Sequence, residues 1–320
     1  MLRILHNTSW DFIRQWKLAI ITVAVFVIPA IVLMPFVPFK YSIEFTGGTE
    51  MQLRFATAPD IADVRSTLAA AGLGEAEITT FGLPTDLRIR AQERSMVERQ
   101  EAGAETISTE IEAALRARFG GTDVFTVLGN DDVSPRVGAE LRRNAIIAII
   151  IAFGLTLIYL AWRFEWRFGV AAVLGTLHDS LATLAFLKYM NIDISLFVVG
   201  GILTVIGYSM NDKVVVFDRV RENLHKNRKQ PLYDLLNRSV NETLPRTIMT
   251  GSTTLGALLA LLIFGGTVIR PFAWILTFGI IVGTFSSIWV ASPWLLWIEK
   301  KYPRVTVATP HSRVASAPRA

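Results

Sequence analysis

Asp179, Asn211, Asp212 and Lys213 lie within stretches that are otherwise apolar. A charged side chain in lipid costs a few kcal/mol or more, so such residues mark function by default. Asp179 sits near the middle of its stretch, where Thr176, Asp179, Ser180 and Thr183 share one helical face and Gly175 borders it. The chemistry on offer is proton loading and release by a carboxyl. The structural alternative is a carboxyl whose hydrogen bonds lock helices together, although an ionisable Asp is an expensive way to make a contact that Ser could make. His178 points about 100° away from Asp179 and reads as a helix-packing residue, secondary to it. Asp212 and Lys213 are sequence neighbours that face different ways, so each should meet a group on another helix. Lys213 lies nearer the helix end than Asp179, and its alternative reading is a side chain that snorkels to the interface.

Gly200, Thr204, Gly207 and Asn211 form one stripe of the same helix, with Gly201, Tyr208 and Asp212 beside it; small residues there admit another backbone. Beyond them Asp218, Arg219, Arg221 and Glu222 read as a salt-bridged cytoplasmic cap. Farther on, Thr247, Thr250, Gly251 and Thr254 cluster on one side of a helix, and Gly279, Gly283 and Ser287 make a small-residue ridge. Both are packing devices, and no chemistry is assigned to them.

Several functions are excluded. With no cysteine in the chain there is no disulfide, thiolate zinc site or cysteine nucleophile. No G-x-x-x-x-G-K-[ST] motif is present. Gly207-Tyr208-Ser209 lacks a well-placed histidine base, and an aspartyl dyad of Asp179 and Asp212 is disfavoured by their different expected depths. The chain is not expected to be an enzyme, nor to hold a cofactor, a metal ion or nucleic acid.

The elements that must position these residues are membrane spans. Mean hydropathy is +0.42; of 320 residues 52% are hydrophobic and 18% charged. The apolar residues gather in blocks of about 20, a bilayer's thickness. Blocks over Leu18–Val37, Gly138–Leu160, Phe168–Leu187, Ser195–Phe217, Thr247–Phe264 and Phe272–Ile298 give six expected spans. Most of the net charge of +5 lies in WRFEWR (162–167), the segment Asp218–Arg246 and the tail from Glu299, whereas Lys188–Ile194 and Gly265–Pro271 are short and carry one basic residue each. The positive-inside rule then places both termini of a multi-pass membrane protein in the cytoplasm.

Between the first two spans the pattern changes. Glu50–Phe55 alternates as a strand, Pro59-Asp60 opens an amphipathic helix that ends before Gly72 and Gly74, and strands follow over Ala76–Phe81 and Asp86–Arg90. A second helix over about Ser95–Arg118 and a strand over Asp123–Leu128 complete the order β-α-β-β-α-β, which predicts a small ferredoxin-like α+β domain outside the cytoplasm. The expected division is 1–39 for the cytoplasmic N-terminus and first span, 40–136 for the α+β domain, 137–305 for spans two to six and 306–320 for a disordered cytoplasmic tail. Gly47 and Gly48 fall where the first span meets this domain, suited to a tight turn or a hinge.

FTGGT (45–49), VGAEL (137–141), LHD (177–179) and above all GYSMNDKVVVFDRVREN (207–223) together resemble the SecF-type members of the SecD/SecF family, within the resistance-nodulation-division (RND) superfamily. The resemblance covers residues 1 to 305. It implies a six-helix half-unit that pairs with SecD, associates with the SecYEG channel and often YajC, and uses the proton-motive force to assist late steps in translocating a polypeptide. It carries the family's membrane carboxylates onto Asp179 and Asp212, and leaves Lys213 or Arg219 as the family's basic residue. Thr176 replaces an alanine of the third-helix motif. Asp179 is expected to be the principal proton carrier. The rival readings are a half-size RND-type exporter of small molecules or lipids and a purely structural scaffold for SecD.

Overall fold

The computed structural model describes residues 8–33, 35–91, 107–120, 124–227 and 230–303. The expected start of the second domain helix near Ser95 and the expected tail over 306–320 lie outside them.

The α+β domain folds because two element types bury one face each. Strand β1 (Gly48–Phe55) turns Met51, Leu53 and Phe55 inward by simple alternation. With β2 (Glu77–Phe81), β3 (Leu83–Ala91) and β4 (Phe125–Val133) it forms an antiparallel sheet of order β2-β3-β1-β4. Two helices cover the inward face: α2 (Ile61–Ala70) and α3 (Ile107–Phe119), through Val64, Leu68, Ile111 and Leu115. Asp60 caps α2 by accepting from the Ala62 amide at 2.8 Å. The order β-α-β-β-α-β expected from the sequence is present. The opposite sheet face carries charge: Arg54 pairs with Asp86 at 2.8 Å, and Glu50 takes Arg88 at 3.2 Å and Arg90 at 3.0 Å.

The remaining described elements are helices. Helix α1 (Ile13–Leu33), loosened by a π turn over Val23–Val27, is followed after the domain by α4 (Pro135–Arg163) and α5 (Trp166–Tyr189). Next come α6 (Leu196–Lys226), α7 (Leu232–Phe264) and α8 (Gly266–Ser286), which runs through a π turn (Ser287–Ala291) into α9 (Ser292–Lys301). Among the described residues, five stretches are long and apolar enough to cross a membrane: α1, α4, α5, α7 and α8 with α9. Helix α6 is not among them, because Asn211, Asp212 and Lys213 interrupt its apolar part. It packs against α5, α7 and α8 all the same.

The connection between α6 and α7 differs from expectation. The segment Asp218–Arg246, read as a connection, is almost wholly helix, since α6 and α7 run on as a hairpin joined at residues 227–231. Phe217 and Val220 recur at helical spacing and meet Leu236, Val240 and Leu244 across the hairpin, so apolar burial sustains the helices where net hydropathy has fallen. Gly47 and Gly48 both have positive φ, 77° and 119°, conformations open to glycine. A Cβ on Gly47 would sit 2.6 Å from the Pro135 Cα, and one on Gly138 2.8 Å from the Gly47 nitrogen. The pair is a tight turn wedged against the start of α4.

The domain is also stitched to the α5–α6 loop. Tyr41 and Ile194 form a parallel bridge, with the Ser42 amide on the Ile194 carbonyl at 2.9 Å and the Ile194 amide on the Lys40 carbonyl at 2.8 Å. The Leu196 amide at the start of α6 donates to Glu44 at 2.6 Å. Arg90, buried in the joint, reaches from β3 to Asp193 at 3.0 Å while holding Glu50.

Candidate functional site

The site lies where α5, α6, α7 and α8 meet. Asp179 on α5 and Lys213 on α6 are both buried, with the Lys213 Nζ 2.6 Å from Asp179 Oδ2. The same oxygen accepts from the Ser209 hydroxyl, one turn before Lys213, and from Ser286 Oγ of α8 at 2.7 Å. Asp179 Oδ1 faces His178 Nδ1 at 2.9 Å. The lysine stem lies over Gly175, where a Cβ would come within 2.5 Å of its Cε, so glycine at this place on α5 admits the ammonium. Asp212 holds a different set of partners. Thr247 of α7 donates to its Oδ1 at 2.8 Å and Ser287 donates to its Oδ2 at 2.9 Å. Among the described residues no Lys, Arg or His is paired with Asp212.

A buried ion pair loses solvation on both sides, and its attraction offsets that only when the remaining lone pairs and protons are satisfied. Asp179 meets that condition with a cation, two hydroxyls and an imidazole. Asp179 and Lys213 pair their charges, whereas a proton gained or lost at Asp212 changes the net charge of a buried cluster by one unit. That arrangement can store a proton and feel its arrival, since unscreened charge in low dielectric acts strongly on its neighbours.

Several expectations change here. Lys213 does not snorkel; it points into the bundle. Asp212 and Asp179 do not lie at separate depths, because successive residues of α8, Ser286 and Ser287, hold one each. His178 turns onto Asp179 instead of serving only in packing. Asn211 and Gly207 face outward, away from both carboxyls: Asn211 is exposed, and a Cβ on Gly207 would meet nothing within 4 Å. The residues that sequence reasoning missed are Ser209, Thr247, Ser286 and Ser287, two of them read only as packing. Their one sequence signal is a hydroxyl in an otherwise apolar helix, which is common in membrane spans and therefore weak. The ridge on α8 does pack as read, for a Cβ on Gly279 would strike Val205 and one on Gly283 would press on Ser209.

At the far end of α6, Asp218 pairs with Arg163 at 2.7 Å, and Arg219 takes both Glu222 and Glu242 at 2.6 Å. Glu222 also takes Lys226, and Glu242 takes Arg238. Asn223 ties the two helices through Ser239 at 2.9 Å and Glu242 at 2.8 Å. Arg221 contributes its carbonyl to His225. Of the four residues read as a salt-bridged cap, Asp218, Arg219 and Glu222 form ion pairs, and Arg219 is engaged there, well away from the carboxyl cluster.

Fold and site together define a polytopic helical membrane protein with a small α+β domain and a buried ionisable cluster. Residues 116–301 match the C-terminal region of the protein export membrane protein SecD/SecF family, and residues 32–59 match the SecD/SecF GG motif. The chain belongs to the SecD/SecF family. It is 55% identical over 312 residues to the protein translocase subunit SecF of Gemmatimonas aurantiaca, covering 95% of this chain and 92% of that one. It is 41% identical to that of Desulfurispirillum indicum, over 91% and 92% of the two chains. Among solved structures it resembles SecDF, a translocon-associated membrane protein from Thermus thermophilus, with a TM-score of 0.80 and 34% identity; the match covers 94% of this chain and 40% of that one.

Proposed function

We propose that this chain is a proton-motive-force-coupled accessory subunit of the Sec translocase, acting with SecD to assist export of polypeptides across the bacterial inner membrane. The observation that carries the proposal is the buried cluster of Asp179, Lys213 and Asp212 shared by helices that also reach the α+β domain. The 40% coverage of the Thermus SecDF chain supports it, because this chain then corresponds to one part of a larger unit. In this reading all six long helical stretches cross the membrane, α6 included, since partner helices shield its polar residues. Both termini are cytoplasmic and the outer domain is a periplasmic ferredoxin-like module. The outward stripe of Gly200, Thr204, Gly207 and Asn211 receives SecD, and SecYEG and YajC complete the assembly.

The proton-coupling work is shared between two carboxyls. Asp179 is held by its lysine, so proton uptake there must displace an ion pair; Asp212 is held only by hydroxyls, which can turn to accept instead of donate. A change of charge alters the packing of α5 on α6. The loop joining those helices, carrying Asp193 and Ile194, passes the shift to Arg90 and the sheet, with the Gly47–Gly48 turn as the second point of attachment.

Export into inverted vesicles tests this, with the proton gradient collapsed chemically in one arm and the sodium gradient in another. Asp179→Asn and Asp212→Asn are expected to abolish the proton-dependent component while leaving co-purification with SecD intact. Normal gradient-dependent export by both variants would sink the reading.

A further inference from the structure

Resting on that proton-coupled reading, we propose that Ser286 and Ser287 are positioning residues that couple the two carboxyls, acting as paired hydroxyl switches on one turn of α8.

Each serine has two acceptors within reach for its single proton. Ser286 Oγ lies 2.7 Å from Asp179 Oδ2 and 3.1 Å from the Gly283 carbonyl. Ser287 Oγ lies 2.9 Å from Asp212 Oδ2 and 2.9 Å from the Thr284 carbonyl. A hydroxyl has one proton to give and two lone pairs to receive. Facing a carboxylate, it donates to the carboxylate. Facing a protonated carboxyl, it accepts from the acid and turns its own proton to the helix carbonyl three residues back. Protonation of either Asp is thereby written into the hydrogen bonding of the same helical turn, and neither step needs a side chain to leave its rotamer.

The backbone at this place is suited to respond. Adjacent residues of a regular helix point about 100° apart, which is how one helix serves an Asp on α5 and an Asp on α6. The π turn begins at Ser287 itself, and π turns in α-helices recur at functional sites. Ser292 Oγ donates to the Ser287 carbonyl at 3.0 Å, satisfying an oxygen that the irregular ladder loosens. Both serines are fully buried, so neither hydroxyl faces bulk solvent. The titratable groups facing the pair are Asp179 and His178 from α5 and Asp212 and Lys213 from α6; α7 presents Thr247.

The test is infrared difference spectroscopy of the full chain in lipid discs across a pH titration, with carboxyl bands assigned by Asp179→Asn and Asp212→Asn. Ser→Ala removes the hydroxyl and keeps the small volume, so packing is preserved. Ser287→Ala is expected to move the Asp212 band and shift its midpoint by about one pH unit, the size of one hydrogen bond to a charged group. It should also displace the Asp179 band through the shared turn, and Ser286→Ala should do the converse. Both variants should lower gradient-driven export several-fold at unchanged protein level. Bands and midpoints that coincide with those of the unsubstituted chain would overturn the switch while leaving the proton-coupled reading in place. A shift confined to each serine's own carboxyl would overturn the coupling. Absence of any pH-dependent carboxyl band in the unsubstituted chain would sink the proton-coupled reading and this inference together.

Discussion

The middle of α6 and its C-terminal stretch carry the same residue types under opposite conditions. Asp212 and Lys213 are buried among hydroxyls and small residues, whereas Asp218, Arg219 and Glu222 form ion pairs on a partly exposed surface. In the middle, Asp212 is held by hydroxyls on other helices, and Lys213 is held by the Asp179 carboxylate of α5 and by Ser209 of its own helix. At the exposed end one arginine bridges two glutamates, and water stands ready to replace any partner. An ion pair has different surroundings at each place: a buried contact between α5 and α6, and a partly exposed cap that fastens α6 to α7.

Removing one partner at each place separates the two. Lys213→Met leaves Asp179 buried without its cation and should cost about 3–5 kcal/mol, the usual penalty for half a buried pair, read as a lowered unfolding midpoint in lipid discs. Adding Asp179→Asn to it should restore most of that stability while proton-dependent export stays lost; a double variant no more stable than the single would mean that the pair is not what Lys213 serves. Arg90→Ala, at the joint, should cost about 1.5–3 kcal/mol for hydrogen bonds to charged groups. It should speed hydrogen exchange at the Ser42 and Ile194 amides, and unchanged exchange would remove Arg90 from the link between bundle and domain. Arg219→Ala should cost only about 0.2–1 kcal/mol, and that effect should shrink further as salt rises. A loss at the cap as large as that of Lys213→Met would erase the distinction between the two places.

The smallest effect is expected in the α+β domain. The Arg54 hydrogen bond holds the Asp86 carboxyl below its ordinary value of 3.8. Between the folded and unfolded values the unfolded chain binds more protons, so stability rises with pH through that window. The contribution is complete above the unfolded value and disappears as pH falls through the folded one. Acid unfolding followed by circular dichroism should show a shallower slope there for Asp86→Asn, and an unchanged slope would remove the pair from the acid response.

Local order was legible throughout. Strand alternation in β1, the Asp60 cap, the glycines after α2 and the apolar blocks all follow from interactions within a few residues. Asp179 was legible as well, because a charge in an apolar block stands out whatever surrounds it. Lys213 was not: whether a lysine snorkels or turns inward depends on what lies across the helix, and Gly175 with Asp179 supplies that from another helix. Thr247, Ser286 and Ser287 were illegible for the same reason, since a hydroxyl in a span is unremarkable until a carboxyl is set against it. The long α6–α7 hairpin was hidden by its charges, which lowered hydropathy although the two buried faces kept their helical spacing.

The sequence by itself determined that this chain enters a membrane, that a small α+β domain interrupts its spans, and that carboxyls at 179 and 212 stand where ions are costly. These follow from hydropathy, period and charge, which are properties of short windows. Only the tertiary structure decided that Asp179 takes the lysine, that Asp212 takes hydroxyls alone, and that consecutive serines hold both. The physical reason is that a hydrogen bond between helices depends on their rotation and crossing, and those are fixed by packing of the whole bundle.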